Sequence, residues 1–383
     1  MKDVLVIAPT ERDLAAGATS RYRVRGLGGD LDETPDFDPR HLVEQAAEVV
    51  TDGVVGTKDR SALLAALAAQ RLRLPGPSPA AVLRSQHKFT SRLVQQRAVP
   101  ESVPRFALLD GPPPFSPPFV VKPVVSRLSQ GARRIERLEE LPSPEDLSPY
   151  AASFEAMAAL AGAPQTFRGY LVEELVDGRE VTYEGFVHRG RVTTIGVTDS
   201  VFYSGTGSFE RFEYPSSLSP ETWDELAEVA ARVMAALGFD GGFFNVEFRV
   251  TERGPAKIIE VNARIASQFS PLVQALHGRS TYDALFALAC GEDPAWEPER
   301  RDGVAISYVV RVFEDAFVDA VPEPEEGLEL LVRPGSRLSE QGVNDAASYR
   351  LAIFTEVGAT REEAVGRCRR RAAALDFSLS EAP

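Results

Sequence analysis

The chain has 383 residues, of which 44% are hydrophobic and 26% are charged, proportions typical of a globular protein and far from those of disordered or fibrous chains. This length exceeds one compact core, so two or three lobes with a cleft between them are expected. The formal net charge of −14 opposes long contacts with nucleic-acid phosphates or with an anionic membrane face.

Targeting and disulfide signals are weak in this sequence. The apolar run at residues 4–7 is too short for the core of a signal peptide, and no apolar stretch reaches the roughly 20 residues of a membrane helix. Cys290 and Cys368 lie far apart and the histidines are scattered, so neither a disulfide framework nor a zinc site is predicted. We therefore expect a cytoplasmic protein that binds neither membranes nor nucleic acid.

The first 80 or so residues alternate between strand and helix patterns. Residues 4–7 predict a buried first strand, and residues 52–59 predict a later strand ending in a turn, with a helical stretch at 42–50 between them. Ser61 is the predicted cap of an Ala- and Leu-rich helix, and a further helix is expected over 80–97. These patterns predict a small α/β unit, and because no GxGxxG follows the first strand, a dinucleotide site has no support.

A proline-rich connector at residues 111–118 predicts the start of a new lobe, because such stiff segments separate folded parts. The segments after it are predicted to be a strand at 119–122, a helix at 143–161, a strand at 170–176, a hairpin of strands 181–187 and 191–197, an amphipathic helix at 220–238 and a solvated loop at 321–327. Strands and helices mix without strict alternation, which predicts an α/β fold of the α+β kind.

The most informative segment is 242–264, because two adjoining strand patterns sort their residues onto faces with a period of two. A tight turn at Arg253-Gly254 sets Glu247 opposite Glu260, about 5 Å apart at Cβ, and Ile258 is expected on the face of Glu260. Like charges so placed destabilise a hairpin unless a cation lies between them, and hard oxygen ligands favour Mg²⁺ or Mn²⁺.

Two further residues support a metal and phosphate site. Asn262 adds a neutral oxygen on the same face, and Arg264 can hold phosphate oxygens from the protein side. A glutamate taken alone is more typical of a solvent-facing hairpin, and that alternative stays open. The combination of two carboxylates, an amide and a guanidinium favours the metal site.

Glu247, followed by the run IEVNAR at 259–264, resembles the metal-binding signature of the ATP-grasp superfamily. The resemblance implies that the two glutamates and Asn262 hold two Mg²⁺ (or Mn²⁺) ions on the phosphates of ATP, while Arg264 steadies an acyl phosphate. Ala263 stands where that family often has proline, which is a minor departure.

Two lysines upstream resemble the same family in their order. Lys88 resembles the first ATP-contacting lysine at the start of the central lobe, and Lys122, in Val-Val-Lys-Pro, resembles the second. A compact ammonium group suits the neutralisation of phosphates. Either lysine taken alone is more typical of an exposed, solvated side chain.

Residues 171–180 resemble the hinge strand of the family. The resemblance implies that Glu173 accepts a hydrogen bond from the adenine amine and that Glu180 binds the ribose hydroxyls. Backbone groups beside the adenine edge are implied for Glu174, Leu175 and Val176. Without the other motifs, an ordinary acidic edge strand is an equal alternative.

The phosphate-covering loop is the element that departs from the family. This loop is usually glycine-rich, whereas residues 124–132 offer Gly131, so Ser126, Ser129 and backbone N–H groups are the candidates to reach phosphate. Residues 204–208 form a second candidate loop, for which a plain turn between strands is an equal alternative.

The resemblance covers most of the chain and implies an ATP-grasp fold. Residues 1–84 resemble the preceding α/β domain and residues 85–300 the ATP-grasp core, with a small lobe at about 105–175 and a large lobe at about 176–300. Residues 301–383 resemble the C-terminal β-rich α+β lobe of biotin carboxylase relatives, which are often dimers, so a homodimer is also expected.

The expected activity is that of an ATP-dependent carboxylate–amine ligase, which forms an amide through an acyl phosphate and releases ADP and phosphate. Segment 264–272 resembles the L-amino-acid ligase and biotin carboxylase branch, and Lys122 and Arg264 are the implied catalytic residues. Two alternatives remain: an enzyme of the biotin carboxylase or carbamoyl phosphate type that activates bicarbonate as carboxyphosphate, and an inactive nucleotide-binding module. The sequence has no Gly-Lys dipeptide and no G-x-S-x-G, which excludes Walker A and serine hydrolase motifs.

Overall fold

The computed structural model describes residues 1–31, 37–127, 130–142, 149–297, 301–341, 344–345 and 348–381. The helices of this part of the chain are α1 (Glu11–Ala18), α2 (Pro39–Glu48), α3 (Asp59–Leu72), α4 (Pro79–Gln86), α5 (Lys88–Ala98), α6 (Pro149–Leu160), α7 (Pro220–Leu237), α8 (Ser270–His277), α9 (Thr281–Ala289) and α10 (Arg361–Ala374). None of them is long and apolar enough to cross a membrane.

The same described ranges also contain β-strands from the N-terminal to the C-terminal part of the chain. They are β1 (Asp3–Ile7), β2 (Arg23–Leu27), β3 (Gly53–Val55), β4 (Phe106–Leu108), β5 (Phe119–Pro123), β6 (Arg133–Ile135), β7 (Tyr170–Glu174), β8 (Arg179–His188), β9 (Arg191–Phe202), β10 (Phe209–Tyr214), β11 (Gly242–Val250), β12 (Lys257–Asn262), β13 (Val304–Val312), β14 (Phe317–Ala320), β15 (Leu328–Leu330), β16 (Asn344–Asp345), β17 (Ser348–Gly358) and β18 (Ser378–Ser380).

Within the described ranges, these strands form a small parallel sheet and several antiparallel ones. The parallel sheet has the order β2-β1-β3, and a four-stranded antiparallel sheet has the order β4-β7-β5-β6. The largest sheet has the order β12-β11-β8-β9-β10-β13-β17-β15, with β16 paired to β17, while β14 pairs with β18. The mixed α/β class is confirmed, and the predicted domain boundaries stay predictions.

The N-terminal unit differs from its prediction at two helix boundaries. Helix α3 begins at Asp59, so Ser61 is its third residue rather than its cap, and the Ser61 hydroxyl accepts the backbone N–H of Lys58 at 3.1 Å. The helix predicted over 80–97 is two helices, because His87 has ψ of 99° and ends one while capping the next. The imidazole Nδ1 of His87 accepts the backbone N–H of Thr90 at 3.3 Å.

The amphipathic helix and the central hairpin are confirmed. Helix α7 is capped by Ser219, and it ends at Gly238, whose φ of 68° is the left-handed conformation that glycine adopts at little cost. Strands β8 and β9 pair antiparallel and turn at His188–Arg191, as predicted. The predicted helix at 143–161 is described from Pro149, its first six residues lying outside the described ranges, and residues 321–327 form the expected loop.

Strands β11 and β12 pair with Glu247 opposite Glu260, which confirms the predicted register at that point. The prediction for Ile258 is wrong, because a β-bulge follows this pair and sets Ile258 opposite Phe248. Ile258 is fully buried in the main hydrophobic core, not on the face of Glu260. The extra residue is Ile259, and its carbonyl oxygen accepts hydrogen bonds from side chains of other elements.

Candidate functional site

The predicted site residues come together at the β12 end of the large sheet. Asn245 and Glu247 on β11 lie opposite Asn262 and Glu260 on β12. On the other side of β11, Glu247 also lies opposite Thr182 of β8. Strand alternation therefore gathers oxygen-bearing side chains on one face over three adjacent strands.

The amide of Asn262 is held in one orientation. Its Nδ2 donates to Asn245 Oδ1 at 3.0 Å and to Glu247 Oε1 at 3.2 Å, while Asn245 Nδ2 donates to the carbonyl oxygen of Arg264 at 3.1 Å. These bonds commit the amide nitrogen to the protein and leave the Asn262 oxygen as the group to offer a cation. Asn245 was not among the predicted site residues, although strand alternation puts it on the same face.

The carboxylates of this face carry opposite pKa shifts. Burial, with the charges of Glu260 and Glu180, raises the pKa of Glu247 to about 8. The pKa of Glu260 is lowered, because Lys88 and Lys122 outweigh the effect of its burial. A carboxyl group that ionises so reluctantly beside another carboxylate fits a place where a cation belongs.

The donor set fits magnesium by its chemistry. Carboxylate and amide oxygens are hard ligands, and Mg²⁺ is usually bound through one or two carboxylates together with substrate phosphates. Among the residues that the structure describes, no group of three or more His, Cys, Asp and Glu side chains is arranged to hold a metal. The predicted set has two carboxylates and one amide, so it depends on phosphate and water for the remaining ligands.

Both predicted lysines lie at this face. Lys88 Nζ is 2.9 Å from Glu260 Oε1 and 3.4 Å from Ser126 Oγ, which links the candidate metal-binding face (Asn245, Glu247, Glu260 and Asn262) to the candidate phosphate loop. Lys122 Nζ donates to the carbonyl oxygen of Ile259 at 3.1 Å and lies 2.5 Å from Glu173 Oε2. Burial lowers the pKa of Lys122, and the carboxylate of Glu173 opposes that shift.

The contacts of Glu173 differ from its predicted contact with an adenine amine. One carboxylate oxygen accepts from Arg92 Nε and the other pairs with Lys122, and the side chain is almost fully buried. Although burial alone would raise the pKa of Glu173, these two cations lower it to about 2. Glu173 therefore anchors the lysine.

Arg92 is a site residue that the sequence interpretation missed. It is 2% exposed, and its Nη2 donates to the carbonyl oxygen of Ile259 at 2.8 Å. Arg92 thus connects Glu173 to the residue before Glu260. Its position four residues after Lys88 on α5 is the signal that could have identified it, because such residues share a helix face.

The other predicted nucleotide contacts lie between β7 of the four-stranded sheet and β8 of the largest sheet. Glu174 ends β7 and pairs with Arg105 at 2.7 Å, and Leu175 and Val176 follow in an irregular, half-buried segment. Glu180 lies 2.7 Å from Arg249 Nη2, and its burial raises its pKa.

The candidate loops are described in part. Ser129 lies outside the described residues. The second candidate loop follows β9, and its Ser208 hydroxyl shares a 2.8 Å hydrogen bond with Ser348 of β17. This contact ties the second loop to the C-terminal strands.

Arg264 makes a contact that the sequence did not predict. Its Nε lies 2.6 Å from Asp59 Oδ1, at the first turn of α3. Burial would lower the pKa of Arg264, but Asp59 outweighs it and the pKa is raised. No sequence spacing connects two residues so far apart along the chain.

Comparison with known proteins identifies relatives of this chain. Residues 115–271 match the protein family described as the ATP-grasp domain. The uncharacterized protein y4rH of Sinorhizobium fredii is 28% identical over 335 residues, which are 81% of this chain and 65% of that protein. Carnosine synthase 1 of Homo sapiens is 27% identical over 321 residues, 80% of this chain and 37% of that protein. The matched region thus spans less than two thirds of either relative.

Solved structures resemble the fold over nearly the whole chain. An L-amino acid ligase from Bacillus licheniformis has a TM-score of 0.75 at 18% identity, covering 99% of this chain and 98% of that one. The biotin carboxylase domain dimer of 2-oxoglutarate carboxylase from Hydrogenobacter thermophilus, in complex with MgADP and bicarbonate, has a TM-score of 0.71 at 16% identity, covering 99% and 91%.

Proposed function

Because the chain carries an ATP-grasp domain and has the ATP-grasp fold, we propose that it is an ATP-dependent carboxylate–amine ligase. The carboxylate attacks the γ-phosphate of ATP, giving ADP and an acyl phosphate, and the amine then displaces phosphate to form an amide. The observation that carries the proposal is the convergence of Lys88, Lys122, Glu247, Glu260 and Asn262 on one sheet face.

Each of these residues has a proposed role. Glu247, Glu260 and Asn262 would hold Mg²⁺ (or Mn²⁺), and we propose two such ions. Lys88 lies beside Glu260 and would bind the phosphates of ATP. Bound magnesium neutralises the charge on the phosphoryl oxygens. Arg264 stabilises the negative charge that develops when the amine attacks the acyl group.

Lys122 is suited to bind phosphate because its position is fixed while donor capacity remains. An ammonium group has three N–H donors. One donates to the Ile259 carbonyl oxygen and one faces Glu173, which leaves a third for a phosphate oxygen. Arg92 supports both of these partners, so we propose that it orients the lysine without touching the nucleotide.

The nucleoside contacts are proposed around the segment after β7. Backbone groups at Glu174, Leu175 and Val176 would meet the adenine edge, and Glu180 would bind the ribose hydroxyls. Glu180 now pairs with Arg249, which also stacks on Phe202 at 5.4 Å, so the carboxylate is already oriented. A phosphate contact from Ser129 stays a prediction.

The substrates are proposed to be small molecules, and amino acids come first. This choice is supported by the named substrates of the L-amino acid ligase and by the sequence likeness to carnosine synthase 1. The bicarbonate alternative has a neighbour whose complex contains bicarbonate. Because that likeness at 16% identity and the likeness to the L-amino acid ligase at 18% identity both concern the fold, the sequence likeness to carnosine synthase 1 is what ranks amino acids first. A homodimer and a cytoplasmic location stay predictions, and light scattering of the purified chain tests the first.

The test is Mg²⁺-dependent release of ADP across a panel of amino acids, singly and in pairs, with bicarbonate varied separately. We expect release that requires two substrates, with a product lighter by one water than their sum. Release that requires bicarbonate would replace the ligase proposal with the carboxyphosphate alternative. Tight ATP binding without ADP under every mixture would support the inactive module.

A further inference from the structure

We propose that Asp59 is a positioning residue for Arg264, and that the N-terminal unit thereby takes part in the reaction; this inference rests on the proposed function. Asp59 is the first residue of α3, whereas Arg264 follows β12 at the candidate metal-binding face. Their side chains meet at 2.6 Å between Nε and Oδ1, and both are largely shielded from water. A charge-assisted hydrogen bond of this kind fixes geometry as well as charge.

The backbone and the side chain of this arginine segment are held by different elements. Asn245 of β11 donates to the carbonyl oxygen of Arg264 at 3.1 Å, and Glu184 of β8 accepts the backbone N–H of Ala266 at 2.7 Å. Among the described residues, the guanidinium itself is bound by Asp59 and, at 3.4 Å, by the carbonyl oxygen of adjacent Ile265. Asp59 is therefore the group that selects the direction of the side chain.

The atom that Asp59 binds matters for the chemistry. A guanidinium group has five N–H donors arranged as a planar fork. Because Asp59 binds Nε and the Ile265 carbonyl oxygen accepts one N–H of Nη1, the N–H groups of Nη2 and the second N–H of Nη1 are the donors that can meet a phosphate or acyl oxygen. Preorganised donors stabilise a transition state because they need not reorient as charge develops.

The start of α3 does not depend on the Asp59 side chain for its own anchoring. Gln86 Nε2 donates to the backbone carbonyl oxygen of Asp59 at 2.7 Å, and Lys58, one residue earlier, pairs with Asp30 at 2.9 Å. Loss of the Asp59 carboxylate is therefore expected to act on Arg264 more than on the fold.

The experiment compares Asp59→Asn with the matched control Asp3→Asn, which removes a carboxylate of the same unit that pairs with Arg23 on the neighbouring strand β2 rather than with Arg264. With a substrate pair identified in the ADP-release panel, we expect Asp59→Asn to lower kcat about 10- to 100-fold, the loss typical of a charged hydrogen bond, while KM for ATP changes less than about twofold. Asp59→Glu should recover part of kcat. Combined with Arg264→Lys, the two losses should be less than multiplicative, because both act through one group.

A second readout needs no turnover. Modification of Arg264 by phenylglyoxal, followed by peptide mass spectrometry, should be faster in Asp59→Asn than in the wild type or in Asp3→Asn. Unchanged kcat and unchanged modification in a folded Asp59→Asn protein would overturn the inference while leaving the ligase proposal standing. Absence of ADP release from the wild type would instead refute the proposed function, and the modification rates would still decide the role of Asp59.

Discussion

Replacement of Glu173 by glutamine tests the buried charge network most sharply. Glu173 is 4% exposed and neutralises Arg92 and Lys122, so the change leaves two buried cations without their counter-charge. The pKa of Glu173 falls from 4.5 to about 2 on folding. Since one pH unit corresponds to about 1.4 kcal/mol, the carboxylate contributes about 3 kcal/mol to the unfolding free energy. Loss of one partner of a buried pair typically costs about 3–5 kcal/mol, which agrees.

The neighbouring residue gives a matched control. Glu174 lies on the opposite face of β7, and its pair with Arg105 is exposed to water, so Glu174→Gln should cost no more than about 1 kcal/mol. Urea unfolding followed by tryptophan fluorescence at pH 7 measures both variants. A Glu173→Gln protein that loses no more stability than Glu174→Gln would refute the reasoning.

The lowered pKa of Glu173 also determines how its contribution to stability changes with pH. A carboxyl group whose pKa is lowered on folding stabilises the protein above its unfolded pKa, and that contribution disappears as the pH falls through the folded value. The difference in stability between wild type and Glu173→Gln should therefore be full above pH 4.5 and should shrink toward pH 2. A difference that grows on acidification would contradict the proposed charge state.

Three further changes have defined outcomes. Glu260→Ala should abolish ADP release and leave the fold intact. The control Glu252→Ala changes a residue in the exposed turn of the same hairpin and should leave kcat unchanged. Retained turnover in Glu260→Ala would refute the proposed site. Burial raises the pKa of Glu184 to about 8, so between about pH 4.5 and 8 this carboxyl group ionises in the unfolded chain while it stays protonated in the folded one. Wild-type stability should therefore fall as the pH rises through this range, and Glu184→Gln should make that fall less steep in urea titrations. Gly178 has φ of +132°, and a Cβ there would lie 2.5 Å from the Val250 carbonyl oxygen. Gly178→Ala should therefore lower the free energy of unfolding by more than the roughly 1 kcal/mol expected for Gly190→Ala, where no atom lies near the added Cβ. Thermal unfolding of both variants measures the difference.

Much of the candidate metal-binding face could be predicted because it depends on local rules. Strand alternation and a short turn define which residues of β11 and β12 share a face, and the observed pairing of Glu247 with Glu260 confirms that prediction. The same rules failed one residue later. A β-bulge shifts the alternation of side chains along β12 by one residue, and no residue type in this segment indicates the bulge. Ile258 was therefore assigned to the wrong face.

Contacts between distant parts of the chain were beyond these rules. Asp59 and Arg264 are joined by the packing of the N-terminal unit against the segment after β12, which no spacing encodes. Glu173 was interpreted from its strand alone, but its contacts depend on α5, which supplies Arg92 from elsewhere in the sequence. The single helix predicted over 80–97 was wrong for a local reason, because the extended backbone of His87 interrupts a continuous helical pattern.

The measurement that tests the central claim most directly is the fate of a carboxylate oxygen. The acid substrate found in the ADP-release panel is labelled with ¹⁸O in its carboxyl group, and the phosphate released with the amide is analysed by mass spectrometry. Formation of an acyl phosphate predicts one ¹⁸O atom in each phosphate and ADP as the nucleotide product. Unlabelled phosphate, or AMP in place of ADP, would contradict the account.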